Sequence, residues 1–242
     1  MSTTSRTPRY PGRICAAVAA EDTAGAIRAA RAVGTAVDVV EIRLDGMREY
    51  SISELCGHIH TPLLFTNRPR WEGGNFTGSE EERLESLLEA ARHGAAYVDL
   101  ELGADPQLRS RLLREIQDRS ARLIISHHDF ERTPGEGELT TILERQAESG
   151  AHIGKIVTMA HSPLDVLRVL HLQCEAARYD FPLIAFCMGE EGRLSRAITL
   201  LLGGFMTYVA PEAGRATAPG QLTVRELRDI LAVLGKKSEP KK

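Results

Sequence analysis

Lysine is nearly missing from the body of this 242-residue chain. Four of its five lysines, Lys236, Lys237, Lys241 and Lys242, crowd the C-terminal end, and Lys155 stands alone before them. Arginine supplies almost all the other positive charge, so surface solubility is not what Lys155 is for. Long apolar runs are also missing. No stretch of about 18 apolar residues occurs, which excludes a membrane-spanning helix. Met1 to Gly12 is polar, with Arg6, Arg9 and prolines, and lacks the apolar stretch of a signal peptide. The expected location is the cytoplasm. The four cysteines, Cys15, Cys56, Cys174 and Cys187, include no C-x-x-C pair, which excludes a zinc ribbon or redox dithiol of that spacing. No G-x-G-x-x-G follows a strand and no Walker loop is present. No metal-ligand spacing stands out, so neither a metal nor a cofactor is expected. The formal charge of -3 gives no basic excess for nucleic acid or an anionic membrane, and neither is expected as a partner.

What is present is an ordinary globular balance, 43% hydrophobic and 26% charged. Short apolar runs alternate with amphipathic stretches. The runs predicted as strands are Arg13–Val18, Val37–Arg43, Pro62–Asn67, Ala96–Glu101, Arg122–Ser126, His152–Thr158, Pro182–Cys187 and Phe205–Val209. Such runs suit strands buried on both faces of a parallel sheet. Between them lie helical patterns at Asp22–Val33, Ser51–His60, Ser79–His93, Pro106–Asp118, Glu138–Ser149, Ser162–Arg178, Arg193–Leu202 and Thr223–Leu234. Ser79 with Glu82, and Thr223 with Glu226, have capping-box spacing. In the sixth helix, Leu164, Leu167, Val169, Leu170 and Leu172 are read as the apolar stripe. Alternation fits a doubly wound sheet or a barrel, and eight units favour the barrel. The prediction is α/β, a single (β/α)8 TIM barrel forming one catalytic domain over 1–242, with a short flexible N-terminus (1–12) and a frayed tail (235–242). Its chemistry belongs at the C-terminal strand ends.

Polar residues do fall there. Lys155 sits among Ile153, Ile156 and Val157, where burial disfavours the ammonium and a neutral amine could attack a carbonyl. A buried stem with its head on a carboxylate is the plainer alternative. His127, His128 and Asp129 end the fifth strand, and histidine suits proton transfer near neutral pH. Loop histidines or metal ligands are the competing account. His58, His60, His93, His161 and His171 read as solvent-facing. Glu41, Arg43 and Asp45 alternate onto one side at the end of the second strand. They could meet a polar substrate or close the barrel as an ion pair. Arg68 and Glu72 follow the third strand beside Gly73 and Gly74. Arg196, near the seventh helix, could clamp a carboxylate or form a surface salt bridge. Thr217 to Gln221 reads as a tight turn before the last helix.

In order and spacing, Glu41-x-Arg43-x-Asp45, Arg68-x-x-x-Glu72-Gly-Gly, Val98-Asp-Leu-Glu101, Ser126-His-His128-Asp-Phe130, Lys155-Ile-Val-Thr-Met159, Ser195-Arg196 and Ala218-Pro-Gly-Gln221 resemble the type I 3-dehydroquinate dehydratases. The likeness runs from Val39 to Ile230. It implies a hydro-lyase converting 3-dehydroquinate to 3-dehydroshikimate through a lysine Schiff base, in the shikimate pathway, without cofactor, as a homodimer. It implies Lys155 as the imine-forming lysine, His128 as general base and acid, and Glu72 as the carboxylate orienting that chemistry. Glu41, Arg43 and Arg68 become the polar pocket, Arg196 the carboxylate clamp, and Thr217 and Gln221 part of the closing loop. Met159 and Met188 become pocket walls, and Arg43 or Arg68 the positive charge that frees the amine of its proton. His127 stands where many relatives have asparagine, Thr217 where serine is common, and 210–216 is longer than usual. A sugar-phosphate aldolase barrel, a catalytically silent binding barrel and a metal-dependent hydrolase are the rival classes.

Overall fold

A computed structural model of the protein describes residues 12–234. The two ends expected to be flexible, apart from Gly12, lie outside the described residues. Strand and helix alternate eight times: β1 (Arg13–Val18) and α1 (Thr23–Val33), β2 (Val39–Arg43) and α2 (Ile52–His58), β3 (Leu63–Thr66) and α3 (Glu80–Arg92), β4 (Tyr97–Glu101) and α4 (Pro106–Ile116), β5 (Arg122–Asp129) and α5 (Glu136–Glu148), β6 (Ile153–Met159) and α6 (Pro163–Glu175), β7 (Leu183–Met188) and α7 (Arg193–Leu201), β8 (Met206–Val209) and α8 (Val224–Leu234). The strands form one parallel sheet in the order β7-β6-β5-β4-β3-β2-β1-β8. Phe205 N donates to Leu183 O at 2.8 Å across the β7–β8 seam. The result is a nearly closed single (β/α)8 TIM barrel.

The apolar runs form strands because both faces are covered. Cys15, Val39, Leu64, Ile124, Ile153, Ile184 and Met206 fill the barrel interior. Ile14, Ala16, Val40, Ile42 and Leu123 face the helices. Each aliphatic side chain fully removed from water contributes about 1.5–3 kcal/mol relative to exposure. The expected helix starts are present. Ser79 and Glu82 form a reciprocal capping box, and Thr223 and Glu226 exchange the same bonds. Ser162 does likewise with Asp165.

Two expectations need correction. Leu164 and Leu167 do not belong to the buried stripe of α6; they are 66% and 59% exposed, and Val166 takes the inner position. The stripe begins one residue away because the capping turn at Ser162 fixes the rotation of the helix. The fifth strand also runs three residues past Ser126, because β6 continues beside it and pairs His127 with Ile156 and His128 with Val157. That extension carries both histidines on a strand instead of a loop.

Candidate active site

Register decides which residues meet. Ser126 pairs with Lys155 across β5 and β6, and β4 lies beyond β5 with Glu101 opposite Ser126. Inward-pointing side chains of alternate strands therefore converge at one height. Lys155 is 4% exposed. Its Nζ donates to Asp99 Oδ2 at 3.2 Å and lies 4.0 Å from Glu41 Oε1. Beneath it is the ring of Tyr208, 4.2 Å from Nζ to the centroid. The first charges the amine meets are thus carboxylates. The two arginines expected to act on the lysine also have acid partners: Arg43 holds Asp45 in two hydrogen bonds of 2.8 Å, and Arg68 holds Asp99 and Glu101.

Arg68 organises the far wall. It donates to Glu101 at 2.6 Å, Ser126 Oγ at 2.7 Å and Asp99 at 2.8 Å. Arg83 enters from α3 to pair with the other Glu101 oxygen. Burial alone would raise the Asp99 carboxyl, but Arg68 and Lys155 outweigh it and hold it below the ordinary carboxylate range. Glu101 goes the other way, raised by burial against the pull of Arg68 and Arg83. Asp99 and Glu101 were not singled out for roles in the sequence. The signal was there, since two acids alternating in the otherwise apolar strand Tyr97–Glu101 resemble the Glu41 and Arg43 pattern.

Glu72 and His128 form the second group. Glu72 Oε1 accepts from the His128 backbone N–H at 2.6 Å and contacts its Nδ1 at 2.8 Å. Burial pushes Glu72 up to about 8, opposed by Arg68 and reinforced by Glu101 and Asp99. Burial also drives His128 well below the ordinary imidazole value, helped by Arg68, Lys155 and Arg43. The imidazole is therefore neutral near pH 7, with Nδ1 held and Nε2 left for a substrate. Phe130 stacks on the ring at 6.0 Å, and Gly73 makes room for it. At Gly73, φ is +76°, and a Cβ would lie 2.3 Å from Phe130. His127, the departure beside the base, points away from this cavity's lining.

Arg196 is 1% exposed and has no acid against it among the described residues. It donates to Pro219 O at 3.1 Å, stacks 4.7 Å from the Phe186 ring centroid, and leaves Nε without a partner. Burial pushes it down to about 10, still a cation at neutral pH. A surface salt bridge is thereby ruled out for it. Gln221 Oε1 accepts from Thr217 N at 2.8 Å and from Thr217 Oγ1 at 3.3 Å, closing the turn that carries Pro219.

One narrow cavity of about 70 Å³ is lined by Lys155, His128, Glu72, Glu41, Arg43, Arg68, Arg196, Thr217 and Gln221, the residues to which the resemblance gave catalytic or substrate-binding roles. Met188 also lines it; Met159 does not, because its sulfur turns toward Gly189. Tyr208, also in the lining, went unremarked in the sequence because an aromatic in a strand reads as core. A wider groove of about 590 Å³ between α1 and the segment after β8 contains no lysine or histidine. No group of three or more metal-binding side chains occurs among the described residues.

The model of the family described as "Type I 3-dehydroquinase" matches residues 14–238. The chain belongs to the type I 3-dehydroquinase family. A dehydroquinase relative, the 3-dehydroquinate dehydratase of Desulfotalea psychrophila, is 46% identical over 81% of this chain and 86% of its own. Solved dehydroquinases share the barrel. The 3-dehydroquinate dehydratase of Geobacillus kaustophilus superposes with a TM-score of 0.87 at 30% identity, covering 94% of this chain and 93% of that one. The type I enzyme of Clostridium difficile, solved with covalently modified comenic acid, gives 0.85 at 29%, with the same coverage of 94% and 93%. Among the described residues, no helix is long and apolar enough to cross a membrane.

Proposed function

We propose that the chain dehydrates 3-dehydroquinate to 3-dehydroshikimate through an imine on Lys155. The observation that supports this most directly is one buried lysine sharing a cavity with a neutral imidazole and an arginine that has no acid partner. Lys155 attacks the C3 ketone as the free amine, and His128 relays the proton it gives up to the departing carbinolamine hydroxyl. Loss of water from the carbinolamine leaves an iminium, which acidifies C2–H. His128 Nε2 takes that proton, and the electron pair moves to form the enamine. The enamine expels the C1 hydroxyl, which leaves as water with the proton from His128. Hydrolysis returns the lysine. Glu72 holds His128 by Nδ1 so that Nε2 points inward. Arg196 receives the substrate carboxylate, and Glu41 and Arg43 meet ring hydroxyls.

The family match supports the substrate, and the Clostridium difficile relative solved with covalently modified comenic acid is in keeping with covalent chemistry on such a barrel. The reading is tested by mixing the protein with 3-dehydroquinate, reducing with borohydride and locating the modified peptide by mass spectrometry. A reduced adduct on Lys155 is expected, and Lys155→Met should lose both adduct and turnover while remaining folded. A folded wild-type chain with no adduct would falsify the imine route. A homodimer in a cytoplasmic setting accompanies the proposal, and sedimentation equilibrium of the purified chain tests the dimer.

A further inference from the structure

Tyr208 is a buried titratable group that the mechanism above leaves unused. It is 4% exposed, and its hydroxyl has no hydrogen-bond partner among the described residues. Its ring is wedged between Phe186, 5.9 Å away between centroids, and Lys155 Nζ at 4.2 Å. A phenylalanine would pack the same ring without stranding a donor, and an orphaned buried hydroxyl calls for a physical reason. The acceptor that shares the lysine with this ring is Glu41, which lines the same cavity with its Oε1 4.0 Å from Lys155 Nζ and whose charge bears on the phenol. Glu41 spends Oε1 on Thr66 Oγ1 at 2.8 Å, and the same oxygen is the one near the lysine. Burial, with Glu41 next, keeps the phenol protonated far above neutral pH, so it remains a donor.

We propose that Tyr208 is a positioning residue for Lys155: its ring seats the ammonium, and its hydroxyl donates to Glu41 when the lysine has given up its proton. The inference rests on the imine reading. While Lys155 is charged, Glu41 has the ammonium as its counter-charge. Once the amine is neutral, Glu41 loses that attraction, and a donor waiting beside it restores part of it. The hydroxyl thereby favours the neutral amine that attacks the ketone. The titratable and charged groups facing this pair are Cys15 from β1, Glu41 and Arg43 from β2, Arg68 after β3, Asp99 from β4 and His128 from β5. Replacing the tyrosine with phenylalanine leaves all of them in place.

The test is the pH dependence of imine formation with 3-dehydroquinate, read by rapid borohydride trapping, in wild type and Tyr208→Phe. The acid limb should move up by about one pH unit, equivalent to about tenfold less free amine at a fixed lower pH, with the high-pH plateau retained. In a Glu41→Gln background the same substitution should produce no further shift. A plateau that falls at every pH with the limb unmoved would assign Tyr208 to packing alone and overturn the proposal, as would a shift to lower pH. If wild type itself forms no adduct, the imine reading fails first, and the two failures are distinguished.

Discussion

Two arginines face the same cavity from opposite walls, and the fold treats them differently. Arg68, between β3 and β4, is 4% exposed and surrounded by acceptors: Asp99, Glu101 and Ser126. Arg196, on α7, is 1% exposed and has one carbonyl, one aromatic face and an unpartnered Nε. Burial would lower both, yet the two carboxylates raise Arg68 while nothing comparable rescues Arg196. A cation whose counter-charge is built in is part of the architecture. One buried without a counter-charge is a vacancy for an anion, and its cost is recovered when that anion arrives.

The contrast is broken most sharply by Arg68→Met. It leaves Asp99 with Lys155 and Glu101 with Arg83 as their remaining cations inside the barrel, and breaking buried pairs by removing one partner typically costs about 3–5 kcal/mol. Urea unfolding should show that loss. A midpoint equal to wild type would mean that Arg68 is not structural. Arg196→Met should do the reverse. The fold keeps its stability or gains some, since a strained buried cation is gone. Substrate binding should weaken by about 2–3 kcal/mol, seen as a KM raised about 30–150-fold with kcat much less affected. An unchanged KM would remove Arg196 from carboxylate recognition.

The same pair explains what could be read from the sequence. All eight strands and helices were legible because both faces of a parallel strand are apolar and helices such as those after Ser79, Ser162 and Thr223 declare their caps. Lys155 and His128 were legible as polar residues at the ends of apolar strands, and family order supplied the rest. Asp99, Glu101 and Tyr208 were not assigned roles, because their meaning depends on register across neighbouring strands. Nothing in Val-Asp-Leu-Glu says that Asp99 will lie 3.2 Å from Lys155 Nζ. Nor could the sequence distinguish the two arginines: whether a guanidinium has a carboxylate beside it is settled by strands far apart in the chain. The resemblance put Arg43 and Arg68 near the lysine, and only the folded strands bring acids against them.

A smaller test concerns the electrostatics that both walls share. His128 is depressed first by burial and then by the cations Arg68, Lys155 and Arg43. A base with a lowered pKa works above that value and fails only below it, so the loss of kcat with acid attributable to His128 should lie below pH 6.5. An ordinary imidazole goes from about one-quarter protonated at pH 7 to about three-quarters at pH 6, costing about threefold between them. The pH profile of kcat should show less than that between pH 7 and 6. A wild-type midpoint at or above 6.5 that an Asp99 variant leaves in place would mean that His128 is not the buried base described here.

The least disruptive change acts on the turn beside Arg196. Gln221 Oε1 receives two donors from Thr217, the backbone N–H at 2.8 Å and the hydroxyl at 3.3 Å. Thr217→Val keeps the shape and the stronger bond but removes the longer one. A hydrogen bond of that length, partly exposed, contributes at the low end of the usual range, about 0.5 kcal/mol. The turn carries Pro219, whose carbonyl is the one oxygen that Arg196 NH2 holds at 3.1 Å. Loosening the turn should therefore appear in KM, by about twofold, and the effect should vanish when Arg196 is already methionine. An equal effect in both backgrounds would mean that the turn serves substrate directly, through Thr217 itself, instead of through the arginine.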